Sequence, residues 1–199
     1  MIADGFHSVP DDRLATVVTH LEARGPAKLG PPVFPEGVTP VRVAAPATDW
    51  YRALFRRVGE DWLWASRLAI AEADLAAVLA TPEVEIWTLR GSGVDLALLE
   101  LDFRTSGIGE IAFFGLAAEL MGRGIGRPLM ALAQGRAWSR QIEVLRLHTC
   151  THDHPGALRF YGACGFVPVR REVEVMEDPR LTGLLRADAA PHVPMIPAR

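Results

Sequence analysis

The run Met121-Gly122-Arg123-Gly124-Ile125-Gly126-Arg127-Pro128 is the densest patch of chemistry-bearing spacing in the chain. Glycines at alternate positions strip side chains from a turn, so successive backbone N–H groups can converge on an anion. Leu129, Leu132, Ala133 and Ala137 follow at helical spacing. Pro128 suits the first helical position, where its missing N–H would have had no intrahelical partner. A helix opening out of such a turn adds the positive end of its dipole, so Gly122 to Arg127 fit a pyrophosphate. The competing reading is a loop that merely turns the chain. A Walker loop would need Gly-Lys-Ser/Thr, which is absent. A dinucleotide turn follows the first strand of a βαβ unit, and here at least three strands are expected to come before.

A second candidate runs from His154 to Phe166. Pro155 starts a helix, Gly165 ends it and Phe166 returns the chain to a sheet, with Phe160-Tyr161 on the helix between them. Phe160 reads as packing. The Asp61-Trp62-Leu63-Trp64 segment with Arg67 joins two tryptophans to an arginine, which is either core or the wall of an aromatic cleft with one cation. His152 and His154 flank Asp153, but no further ligand stands at a suitable spacing, so no metal is expected.

Alternating element signals surround these residues. Residues 8 to 25 read as an amphipathic helix, with Leu14, Val17, Val18 and Leu21 on one face, followed by a Pro/Gly-rich connector to residue 37. A strand at Val41 and Val43 and helical spacing from Trp50 to Gly59 come next. A second helical stretch ends near Thr81-Pro82. Strands are then expected over 83–90, 94–103 and 111–116, with a Gly91-Ser92-Gly93 hairpin turn between the first two. Helix 127–139, strand 143–150, helix 155–164 and strand 166–176 complete an α/β fold with a mixed sheet flanked by helices. Residues 178 to 199, with four prolines, read as a loosely attached tail.

The two motifs together resemble the GNAT superfamily of acetyltransferases. The glycine turn is similar to its pyrophosphate motif, Gln/Arg-x-x-Gly-x-Gly/Ala, with Gly124 and Gly126 matching and Met121 departing from Gln/Arg. His154 to Phe166 is similar to Asn-x-x-Ala-x-x-Phe-Tyr-x-x-x-Gly-Phe: Ala157, Phe160, Tyr161, Gly165 and Phe166 match, and His154 replaces Asn. The resemblance covers about residues 38 to 176. It implies a GNAT domain over 38–177, a helical extension over 1–37 and a tail over 178–199.

It also implies acetyl-CoA as cosubstrate, bound by Gly122 to Arg127, by His154 and by backbone groups of Phe114 and Leu116 on a splayed strand. Glu110 lies eleven residues before Met121, the spacing of the catalytic glutamate in the superfamily's histone acetyltransferases, and Tyr161 is the expected proton donor to the thiolate. Trp62, Trp64 and Arg67 fall where the acceptor pocket is built. Glu100 and Asp102 are weaker candidates. The expected reaction is transfer of acetyl to a primary amine, the acceptor being a small molecule. The alternatives are a non-catalytic acyl-CoA-binding regulatory domain and an enzyme of the same fold using another acyl-CoA.

Composition sets the outer bounds. A formal charge of −3 excludes reliance on phosphate neutralisation, so no nucleic-acid partner is expected. Apolar runs are interrupted, as by Asp95, Glu100 and Asp102, so no membrane span is expected. Cys150 and Cys164 suggest no disulfide framework, the N-terminus carries no secretory signal, and a cytoplasmic protein is expected. A homodimer is compatible with this reading.

Overall fold

A computed structural model describes residues 2–196. Strand β1 (Arg13–Ala23) and β2 (Val38–Val43) precede α1 (Thr48–Gly59), a 3-10 turn at Glu60–Trp62, the short α2 (Ser66–Ala69) and α3 (Glu72–Ala80). A meander follows: β3 (Val84–Gly91), β4 (Val94–Asp95), β5 (Ala97–Asp102) and β6 (Ile108–Leu116). Then come α4 (Gly126–Trp138), β7 (Val144–Cys150), α5 (Ala157–Ala163) and β8 (Val167–Glu177). The strands form one mixed sheet in the order β2-β3-β5-β6-β7-β1-β8, with β4 paired to β3.

The β3–β4 hairpin turns as its sequence predicts. Ser92 and Gly93 both have positive φ, 49° and 78°, the pattern that matches the twist of two antiparallel strands. Side-chain alternation then sorts the meander into two cores. Ala97, Leu99 and Leu101 pack with Leu129, Met130 and Ala133 of α4, while Leu98, Val84 and Ile86 pack with Tyr51, Leu54 and Phe55 of α1.

The helix expected over residues 8 to 25 is a strand. Leu14, Val17, Val18 and Leu21 do recur at helical spacing, but Thr16-Val17-Val18-Thr19 is an unbroken β-branched run, which favours extended chain. β1 inserts between β7 and β8, antiparallel to both, so the supposed extension completes the sheet.

The tail is not loose either. Leu185, Ala189 and Ala190 are buried in a third cluster with Leu14 and Leu63. Arg180, 6% exposed, pairs with Asp178 and donates to the carbonyl oxygens of Ala189 and Val193. One buried guanidinium thereby satisfies backbone acceptors of a segment with no regular ladder. Proline content alone hid this, because the partners are distant in sequence.

Candidate active site

The site grows from a fork in the sheet. β6 and β7 are parallel and pair only at Ile108–Val144, Gly109–Leu145 and Glu110–Arg146. Beyond Glu110 the two strands part. On its other side β6 stays bound to β5, and Ala117 donates its N–H to Leu96 O. In an antiparallel ladder alternate residues turn their polar groups to the partner. Phe113, Gly115 and Ala117 therefore serve β5, while the N–H groups of Phe114 and Leu116 are directed across the fork.

The glycine turn lies at the open end. Ile125, 2% exposed, anchors it in the α4-side core, while Gly122, Arg123 and Gly124 face solvent. Gly122 and Gly124 have φ of 71° and 74°, a conformation that favours glycine, and the space where a Cβ would stand is empty at both. No side chain caps the N-terminus of α4, so the first N–H groups of a 13-residue helix remain available. Arg123 and Arg127 are exposed beside it. These residues fit a pyrophosphate: an open cradle, free amides and two cations.

Tyr161 lines the fork from α5. The helix ends in paired bonds, Phe166 N to Tyr161 O and Gly165 N to Gly162 O, with Gly165 at φ 89°. This termination sets Tyr161 among Phe114, Phe160 and Phe166, with ring centroids 5.5 to 6.3 Å away. Burial, and then the charge of Asp153, push its phenol well above the usual range, so the proton is held. His154 stands at the entry to α5, its Nδ1 accepting from Gly156 N at 3.0 Å.

On the α1 side of the sheet the cross-strand register sets Glu100 opposite Phe113 and Asp102 opposite Glu110. Glu100 is fully buried, with one carboxylate oxygen bound by Tyr51 and the other by Arg67, so no incoming group reaches it. Asp102 is held by Arg104. Glu110 accepts from Arg146 at 2.7 and 2.9 Å and lines a recess of about 240 Å³ with Asp102, Arg104 and Ile108. It sits at the closed end of the fork, four residues from Phe114, or roughly 13 Å along the strand.

The tryptophans divide. Trp64 is socketed: a Cβ on Gly59 would collide with its ring, and one on Gly115 would crowd it. Its Nε1 reaches Asp153 at 3.3 Å, across the fork from β6. Arg67 lies over the Phe113 ring at 5.2 Å. Trp62 sits 5.4 Å from the His154 ring and 5.7 Å from that of His192 in the tail. Sequence reasoning missed Asp153 as a hub. Its carboxylate also accepts from Thr149 Oγ1 and Cys150 N, four and three residues earlier in the chain.

A mixed sheet forked between two parallel strands, with an open glycine turn and an uncapped helix at the fork mouth, is the architecture that relatives must share. The chain matches the model of the acetyltransferase (GNAT) family over residues 47–166, more than half its length, and belongs to that family. Solved structures agree in fold. A conserved protein of unknown function from Staphylococcus epidermidis ATCC 12228 is 15% identical, with a TM-score of 0.61 over 83% of this chain and 63% of that one. A GCN5-related N-acetyltransferase from Kribbella flavida is 24% identical, with a TM-score of 0.55 over 88% and 63%. An aminoglycoside acetyltransferase from an uncultured soil metagenomic sample is 16% identical, with a TM-score of 0.52 over 64% and 87%. The present chain thus spans 63% of the length of the first two. No curated protein matches the sequence. Among the described residues no helix is long and apolar enough to cross a membrane, and no cluster of three or more His, Cys, Asp or Glu could hold a metal ion.

Proposed function

We propose that this protein transfers the acetyl group of acetyl-CoA to a primary amine of a small molecule, by direct attack in a ternary complex. The observation that carries the reading is the fork beyond Glu110, its strand N–H groups lying between the uncapped helix α4 and the buried Tyr161. When bound, the cosubstrate supplies an electrophilic thioester carbonyl and a thiolate leaving group. Gly122 to Arg127 hold the pyrophosphate through backbone N–H groups and the α4 dipole, aided by Arg123 and Arg127. His154 borders the pantetheine path.

Backbone N–H of Phe114 and Leu116 orient the arm and stabilise negative charge developing on the carbonyl oxygen. Glu110 takes the ammonium proton through ordered water, since it lies roughly 13 Å along the strand from Phe114, beyond direct reach. Tyr161 keeps its proton in the fork and donates it to the departing sulfur. Trp62, Trp64 and Arg67 wall the acceptor. A small acceptor is favoured because the recess beside Glu110 has a volume of about 240 Å³. With two free thiols, Cys150 and Cys164, we place the protein in the reducing cytoplasm.

A panel of amines with acetyl-CoA, read by thiol release and product mass, tests this. Acetylated product from a small primary amine is expected. Binding without thiol release from any amine would favour a regulatory acyl-CoA-binding domain. Release only from longer acyl-CoAs would replace the acyl group.

A further inference from the structure

Among the described residues, nothing pairs with the outer side of strand β8, which forms an edge of the sheet. All eleven of its residues are exposed except half-buried Met176, and its valines lie open: Val173 at 48% and Val175 at 56%. They face Val17 and Ala15 of β1, which are exposed as well, so an apolar strip runs along the last two strands. A long edge with unpaired N–H and C=O groups is a template for another strand, and soluble proteins usually blunt such edges. Here Pro168 and the register shift at His20/Leu21 blunt only the beginning. From Arg171 to Glu177 the strand pairs residue for residue with β1 and is regular.

We infer that Arg171–Glu177 pairs antiparallel with the same segment of a second copy of this chain, about a two-fold axis at Glu174. The occupant follows from charge complementarity. Residues 171, 173, 175 and 177 share one face by strand alternation. In this register Arg171 falls opposite Glu177 of the partner subunit, and Val173 opposite Val175 of the partner subunit. By symmetry each contact occurs twice. Two ion pairs thus bracket two valine pairs.

The neighbouring symmetric registers lose this. Centring on Val173 sets Arg171 against a valine and Glu172 against Glu174, and centring on Val175 sets Val173 against Glu177. Glu177 already holds Arg13 at 3.2 Å, but at the surface, where its second oxygen stays free. The one opposed contact is Glu174 meeting itself on the other face. The inference does not depend on the acyl-transfer reading.

Sedimentation equilibrium of the full chain tests it, with circular dichroism to check folding. The expected mass is twice 21.7 kDa in the micromolar range. Arg171→Glu alone and Glu177→Arg alone should each give monomer, and the two reversals combined should restore the dimer. Glu174→Gln should tighten it, and Glu174→Cys should cross-link to itself on mild oxidation. The Cys variant also serves if a reversal fails to fold. A monomer throughout, a dimer indifferent to both single reversals, a double reversal that stays monomeric, or no cross-link through residue 174 would each overturn the proposal.

Discussion

The two sides of the fork offer a ligand different kinds of group. On the α4 side they are mostly backbone: the N–H groups of Gly122 to Gly126, the uncapped helix start, and the strand amides of Phe114 and Leu116. On the α1 side they are side chains, and nearly all are engaged: Glu100 by Tyr51 and Arg67, Asp102 by Arg104, Glu110 by Arg146. A backbone site depends on local conformation and on the absence of side chains. A site made of paired charges depends on every partner, so the α1 side should choose the acceptor and the α4 side should be indifferent to it.

That contrast breaks most visibly at Glu110. In the proposed role of Glu110 as proton acceptor, Glu110→Gln should lower kcat by roughly 10²- to 10⁴-fold, with acetyl-CoA affinity unchanged. Near-normal turnover would reduce this carboxylate to a surface partner of Arg146.

Stability separates the sides differently, because the α4 side has a buried charge of its own. Glu85, 1% exposed, accepts from Arg136 of α4 and from Arg140 just beyond it. Burial alone would raise its carboxyl, but the bonds from Arg136, Arg140 and Trp87 outweigh burial and bring it down to about 2. Since the folded carboxyl titrates below the unfolded one, its contribution is complete above the ordinary value of 4.5 and drains away as pH falls towards about 2. Glu85→Gln should cost about 3 kcal/mol at neutral pH, because two arginines lose their buried counter-charge. Urea unfolding at pH 7 and pH 3 checks this, with the gap between wild type and variant narrowing at the lower pH. An equal gap at both would remove Glu85 as the cause.

A smaller effect tests the boundary between the sides. Tyr161→Phe keeps the packing against Phe114, Phe160 and Phe166 and deletes only the donor, so single-turnover rates should fall about 10-fold. Because burial raises the phenol, the wild-type rate should show no alkaline limb at the ordinary tyrosine pKa of 10. Equal rates for the two proteins would make Tyr161 packing only.

The same contrast explains what could be read from residue order. The glycine turn, the α5 termination at Gly165 and the β3–β4 hairpin are local, each specified by a few neighbours whose conformational needs are visible in the sequence. β1 was misread because its apolar spacing satisfies a helix, while its β-branched run and its slot between β7 and β8 are settled by strands more than a hundred residues away. The buried Glu100–Arg67–Tyr51 cluster and the clasp of Arg180 on the tail were likewise invisible, since each joins elements that meet only in the folded chain. Glu100 and Asp102 looked like possible site carboxylates, and only the identity of their partners shows them committed elsewhere.

The central claim is that the open glycine turn receives the pyrophosphate of acetyl-CoA. Gly126 is the cleanest probe. A Cβ there would meet only the Phe160 ring at 3.4 Å, and its backbone is not in the left-handed region, so Gly126→Glu should stay folded. Titration calorimetry with acetyl-CoA should show binding to the wild type and none to the variant, whose carboxylate occupies and repels the phosphate space. Unchanged affinity in a folded Gly126→Glu protein would contradict the account.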